Sequence, residues 1–221
     1  MLADGQVITT GSVGSRALQS SSGLELTKLF VGSEGLLGII TQLRLKVIPL
    51  PPAKGIVLAQ FDQLEQAGRS VVAVLRAGVL PSAIEILDAS AIQAVNIYRP
   101  QLALPPAEAI LLYEVDGNRA GVAADARRIA EIVTPFAQQV EWSDEPKRVT
   151  ALWEARSVVG AASGQVRPGA ARVYAGEDIC VPLAKVPETL RAIQEIARRY
   201  ALIVVTYGHI ATGNLHPAPV I

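Results

Sequence analysis

Ile56-Val57-Leu58-Ala59-Gln60-Phe61, followed by Leu64 to Ala77 and then by Ala83-Ile84-Glu85-Ile86-Leu87, is the stretch that decides the fold. The two outer runs are short and apolar, as strands are. Between them Val71, Val74 and Leu75 recur at helical spacing. The result is a β-α-β unit. A second helix is expected over Ala89 to Tyr98, ended by the prolines at 100, 105 and 106. The pattern then recurs, with Ala109 to Val115 as strand, Arg119 to Phe136 as amphipathic helix and Gln139 to Trp142 as a short strand. Two such units predict an α+β fold, an antiparallel or mixed sheet with helices on one face.

Further on, Lys147 to Ala162 reads as a helix, Glu177 to Val181 as a strand and Pro187 to Tyr200 as a helix with proline near its first turn. Ala201 to Tyr207 is a buried strand that runs into Gly208-His209-Ile210-Ala211-Thr212-Gly213-Asn214-Leu215-His216-Pro217. Upstream of the deciding stretch, Gln6 to Thr9 is strand-like, Gly11 to Gly23 is a Ser/Gly-rich loop, and Leu37 to Ile48 alternates toward a strand. Pro49, Pro51 and Pro52 mark a boundary between this β unit and the rest.

Half of the 221 residues are apolar, enough for a substantial core, and 20 basic residues balance 20 acidic ones. No segment gathers positive charge as a phosphate-tracking surface does, which argues against a nucleic-acid partner. The apolar runs are strand-length, far short of the roughly 18 to 20 residues that cross a bilayer. The single Cys180 has no partner thiol, fits a reducing compartment and reads as small core filler.

Three motifs could carry chemistry. The only two histidines, His209 and His216, lie seven residues apart; imidazole is the commonest metal ligand and the usual proton carrier near neutral pH. On one unbroken strand that odd separation puts them on opposite faces, whereas breaks at Gly208, Gly213 and Pro217 would bring both rings to one point. From spacing alone, a metal or substrate site and a pair of ordinary loop or core histidines stand level. The second motif, Val31 to Thr41, places Gly32, Gly35 and Gly38 where a backbone can turn tightly against a flat or phosphorylated ligand; a structural turn explains it as well. The third, Leu152-Trp153-Glu154-Ala155-Arg156, offers in Arg156 a planar fork for a carboxylate, though helix arginines are commonly just solvated. Glu177-Asp178 reads as a solvated acidic pair.

In their order these segments resemble one family, the FAD-linked oxidases of the vanillyl-alcohol-oxidase type, in the branch that holds the D-type subunit of glycolate oxidase together with D-lactate dehydrogenase. The resemblance rests on Ser20 to Phe30 with Val31 to Thr41, on Leu152-Trp153 with Arg156, on Glu177 to Pro182 and on Gly208 to Pro217. It implies that residues 1–48 are the tail of an FAD-binding domain and that 53–221 form a substrate (cap) domain with a ferredoxin-like antiparallel sheet. Gly32, Ser33, Glu34, Gly35, Gly38 and Ile39 then become flavin contacts. His209 and His216 become catalytic residues and ligands of a divalent metal such as zinc, Asn214 a polar catalytic contact, and Arg156 the anchor of the substrate carboxylate. The substrate implied is a small D-2-hydroxy acid of the glycolate or D-lactate type, oxidised through FAD. The wider family pattern has flavin contacts upstream and a glutamate before His-Gly downstream, so the chain is expected to be a piece that does not bind FAD tightly alone. The alternatives are a non-catalytic component that joins other subunits in a glycolate oxidase complex, or an inactive fragment. The resemblance implies a cytoplasmic location, with peripheral contact to the inner membrane left open. Two departures stand out: Leu36 replaces a threonine, and Ala211-Thr212-Gly213-Asn214 replaces Gly-Asp-Gly-Asn, removing an acidic group that would orient a histidine.

Overall fold

The computed structural model describes residues 1–11, 23–174 and 178–221. Most of the Gly11 to Gly23 loop, including Ser20 to Ser22, and Glu177 lie outside the described residues. The chain divides into two compact units, Met1–Leu50 and Pro51–Ile221.

In the first unit the described residues form one short helix, α1 (Thr27–Phe30), and a series of turns, with no strand. The expected strands at Gln6 to Thr9 and Leu37 to Ile48 are therefore corrected. Alternation makes a strand only where a neighbour supplies ladder hydrogen bonds, and Leu43, Leu45 and Val47 stand exposed instead. The unit is tied end to end at Met1, whose ammonium donates to the Ile39 carbonyl while Ile39 N–H donates to the Met1 carbonyl, both at 2.8 Å.

The second unit runs β1 (Ala53–Phe61), α2 (Leu64–Arg76), β2 (Ala83–Asp88), α3 (Ala89–Tyr98), β3 (Ala109–Gly117), α4 (Arg119–Val133), β4 (Gln139–Ser143), α5 (Pro146–Ser157), α6 (Val159–Ala162), β5 (Ile179–Cys180), α7 (Val186–Arg199), β6 (Ile203–His209) and β7 (Asn214–Val220). One antiparallel sheet takes the order β4-β1-β3-β2-β6-β7-β5. Its first four strands have the ferredoxin-like arrangement, and β6, β7 and β5 extend it beyond β2.

The fold is α+β and antiparallel as expected, but the helices cover both faces rather than one. Val57, Ala59 and Phe61 of β1 pack with residues of α2, α4 and α7, while Ile56 and Leu58 pack with residues of α3, α5 and α6. The cause is in β1 and β3 themselves: their central runs, Ile56 to Ala59 and Ala109 to Tyr113, are apolar on both alternating faces and must be covered on both sides. The expected 147–162 helix is split at Val158, whose ψ of −7° ends α5. Gly160, just beyond, lets Arg172 approach and donate to its carbonyl at 3.1 Å.

Proline did not prevent β7. Pro219 turns its carbonyl to Val173 N–H at 2.9 Å, away from β6; its missing N–H, like that of Pro217 two residues earlier, is on the outer side, where β5 pairs only Leu215 and Asn214. Asp88 ties this region together. One carboxylate oxygen caps α3 by accepting from Ala91 N–H, and the other accepts from Thr206 N–H of β6, both at 2.8 Å. Burial pushes its carboxyl up to about 7 against the pull of those donors. Cys180 is exposed on the two-residue edge strand, not core filler.

Candidate functional site

The three histidine-motif residues that could touch a ligand, His209, Asn214 and His216, lie on the β6–β7 hairpin. Ile210–Thr212 makes a single 3-10 turn, closed when Thr212 Oγ1 donates to the His209 carbonyl at 3.0 Å. Gly213 then reverses the chain with a φ of +72°, and a Cβ there would run into the Val181 carbonyl. Gly208 is as constrained, since its Cβ would stand 2.5 Å from the Asn214 carbonyl oxygen. Gly208 and Pro217 are not chain breaks; the turn lies wholly between them.

Register does the rest. His209 is opposite Asn214, and Tyr207 is opposite His216. Across the other edge of β6, Glu85 of β2 is opposite His209. Opposed residues share a face, so Glu85, Tyr207, His209, Asn214 and His216 form one polar patch. The hairpin cancels the odd spacing, and the two imidazoles meet edge to face with ring centroids 5.3 Å apart.

Each imidazole is held by a carboxylate at Nδ1. Glu85 Oε1 lies 2.7 Å from His209 Nδ1, and Asp178 Oδ1 lies 2.7 Å from His216 Nδ1. The acidic neighbour missing at position 212 is thus supplied by β2 for one ring and by the segment before β5 for the other. Asp178, read as solvated, is 74% exposed and still engaged. Arg156 reaches the patch from α5: its Nε donates to Glu85 Oε2 at 2.6 Å and its guanidinium carbon sits 5.0 Å from the Tyr207 ring centroid. Arg172 donates to the Tyr207 hydroxyl at 2.8 Å. Asn214 Oδ1 is buried and accepts no hydrogen bond from the described residues. A buried acceptor of this kind calls for a donor.

The sequence pointed to His209, His216, Asn214 and Arg156, and the fold gathers all four. It did not point to Glu85, Tyr207 or Arg172. For Glu85 a signal existed: one carboxylate inside the apolar strand Ala83 to Leu87 must find a partner or carry a large desolvation cost. Gly32, Ser33, Glu34, Gly35, Gly38 and Ile39 lie in the first unit. There Gly32, Glu34 and Gly35 take positive φ, and a Cβ on Gly38 would stand 2.8 Å from the Met1 carbonyl oxygen.

Among the described residues no three His, Cys, Asp or Glu side chains are grouped to hold a metal ion. The patch offers a metal two imidazoles and no third ligand from this group, fewer protein ligands than catalytic divalent sites use. Two surface cavities lie elsewhere, one of about 550 Å³ lined by Arg69, Val72, Pro187 and Arg191, the other of about 230 Å³ lined by Leu58, Trp142 and Arg148. Neither includes a residue of the patch.

Comparison with known proteins gives the chain its relatives. The chain is 33% identical to "Glycolate oxidase subunit GlcD" of Bacillus subtilis over 98% of its own length and 45% of the relative's. To the protein of the same name in Escherichia coli K12 it is 35% identical, over 97% of this chain and 42% of that protein. To "Probable D-lactate dehydrogenase, mitochondrial" of Danio rerio it is 30% identical, over 98% and 43%. The chain thus spans less than half the length of these curated relatives. Its fold superposes on p-cresol methylhydroxylase with a TM-score of 0.74 at 14% identity, covering 100% of this chain and 49% of that one. On 4-ethylphenol oxidase from Gulosibacter chungangensis the TM-score is 0.72 at 17% identity, covering 99% and 49%. Residues 50–221 match the family described as FAD linked oxidases, C-terminal domain, and it is to this family that the chain belongs.

Proposed function

We propose that this chain is the substrate-side part of a flavin-dependent enzyme that oxidises a D-2-hydroxy acid of the glycolate or D-lactate type to the 2-oxo acid. The observation that carries the reading is the orphaned Asn214 Oδ1 on the same face as two carboxylate-tethered imidazoles and Arg156. A 2-hydroxy acid presents a carboxylate, a hydroxyl and a C2 hydrogen. Arg156, its Nε on Glu85, retains Nη donors to offer the carboxylate. Asn214 Oδ1 would accept a hydrogen bond from the substrate, and an imidazole would take the hydroxyl proton as the C–H bond breaks. The chemistry a bound FAD would supply is that of hydride acceptor for C2. Gly32, Ser33, Glu34, Gly35, Gly38 and Ile39 are proposed flavin contacts, supported by the left-handed turns that present this backbone. We assign residues 1–48 to the end of the flavin-binding domain and 53–221 to the substrate domain. His209 and His216 would supply two ligands to a divalent metal; since the described residues group no third, no step is assigned to one.

Titration of this chain with FAD should give little binding, and a longer product carrying the rest of the relatives' length should purify yellow and reduce its flavin with glycolate or D-lactate. A colourless longer product would sink the reading. A second reading, a docking component of a larger oxidase assembly, is favoured by the exposed Leu24, Leu36, Val47 and Leu50 of the first unit. Co-purification with a separate flavin-domain polypeptide, without activity of its own on His209 and His216, would favour it. Cytoplasmic residence, with peripheral contact at the inner membrane, belongs to the same proposal; no described helix is long and apolar enough to cross a membrane.

A further inference from the structure

We infer that Glu85 is the positioning residue of this site, a single carboxylate that sets the tautomer of His209 and the direction of Arg156 together. It rests on the proposed function for why those two groups matter, and on its own geometry for the rest. The Glu85 side chain is 5% exposed and sits on β2 between the buried Ile84 and Ile86. Each of its oxygens is committed to a different partner, Oε1 to His209 Nδ1 at 2.7 Å and Oε2 to Arg156 Nε at 2.6 Å. Those partners come from different layers, His209 from the neighbouring strand β6 and Arg156 from α5 above the sheet. A carboxylate divided in this way fixes both.

The chemical consequence follows from donor and acceptor counts. An ionised carboxylate only accepts, so the neutral His209 ring must keep its proton on Nδ1 and leave its lone pair on Nε2. Nε2 is then the basic nitrogen, on the side of the ring away from Glu85. Arg156, with Nε spent on Glu85, is left to approach a ligand through its Nη edge, steadied by the face of Tyr207. Proton acceptor and carboxylate anchor therefore share one support. A residue that served only to balance a buried charge would not dictate which imidazole nitrogen carries the proton.

Glu85→Gln distinguishes the two roles. The amide has one acceptor and one donor. Arginine can only donate, so the amide oxygen stays with Arg156 and the NH₂ turns to His209, whose Nδ1 must then accept and whose proton moves to Nε2. With two histidines in the chain, two-bond ¹H–¹⁵N spectra of the isolated protein, recorded at alkaline pH, resolve both rings. The expected result is Nδ1–H for His209 in the wild type and Nε2–H in Glu85→Gln. The His216 signal, set by Asp178, stays unchanged and reports that the hairpin is intact. Nε2–H at His209 in the wild type, or an unshifted tautomer in a folded Glu85→Gln protein, overturns the inference. If Glu85→Gln does not fold, the wild-type tautomer alone decides it. In the longer, flavin-loaded product the same substitution should lower kcat by about 10- to 100-fold and also raise KM, because both supported groups are released; an unchanged kcat overturns it too. The spectra need neither flavin nor substrate. Failure of the longer product to bind FAD would count against the proposed function and leave the tautomer result standing.

Discussion

Asp88 shows how one side chain can be both necessary and pH-sensitive. It accepts from the N–H groups of Ala91 and Thr206, so Asp88→Ala would leave two buried donors unpaired. The expected cost is about 2 to 4 kcal/mol in urea unfolding. Burial raises its carboxyl from 3.8 to about 7, so the folded chain holds a proton that the unfolded chain releases. That contribution is complete below about pH 4 and is lost as pH rises through 7. The stability difference between wild type and Asp88→Asn should accordingly shift toward the wild type when pH is lowered from about 8 to about 5; a pH-independent difference would contradict the assignment. Gly213→Ala belongs to this scale as well. Its positive φ and the Val181 carbonyl leave no room for a Cβ, and a loss of about 1 to 3 kcal/mol is expected, read as a lowered Tm together with shifted imidazole signals of His209 and His216.

At the scale of elements, two helices are seated on the sheet by buried polar contacts that hydrophobic pattern does not reveal. On α2, Ser70 Oγ lies 2.8 Å from the Tyr113 hydroxyl of β3 and donates to the Ala67 carbonyl. Ser70→Ala strands the Tyr113 hydroxyl in the core and should cost about 1 to 3 kcal/mol, whereas the double change Ser70→Ala, Tyr113→Phe should recover most of it; denaturant midpoints of the three variants test this. On α5, Trp153 and Arg156 lie one turn apart and reach carboxylates on adjacent strands. Trp153 Nε1 donates to Glu114 Oε2 on β3, and Arg156 meets Glu85 on β2. Lys54 completes the Glu114 cluster at 2.9 Å. These pairs hold α5 in one rotational setting, with Arg156 over the Tyr207 ring. Strands β1 to β6 and most helices of the second unit were legible beforehand because period, proline and capping are local, whereas β7 and the absence of strands among the described residues of the first unit were not. The faces were not, although the unbroken apolar runs of β1 and β3 carried that information.

For the whole molecule the contrast is between the two units. Among the described residues of Met1–Leu50 none is buried, whereas Pro51–Ile221 holds two core clusters, one on each face of the sheet. Backbone without buried contacts exchanges its amides readily. Hydrogen exchange should therefore be fast over the described residues of the first unit and slow over β1 and β3.

The sequence by itself determined most elements of the second unit, the α+β class and the family, and named four residues that the fold gathers in one patch, because hydrophobic period and short motifs are written in neighbouring residues. Only the tertiary structure decided that His209 and His216 share a face, that helices close both sides of the sheet, and that Glu85, 124 positions before its histidine, completes the patch. The reason is physical. Strand register and hairpin geometry are set by which strand pairs with which, and ladder hydrogen bonds join residues that no local pattern connects.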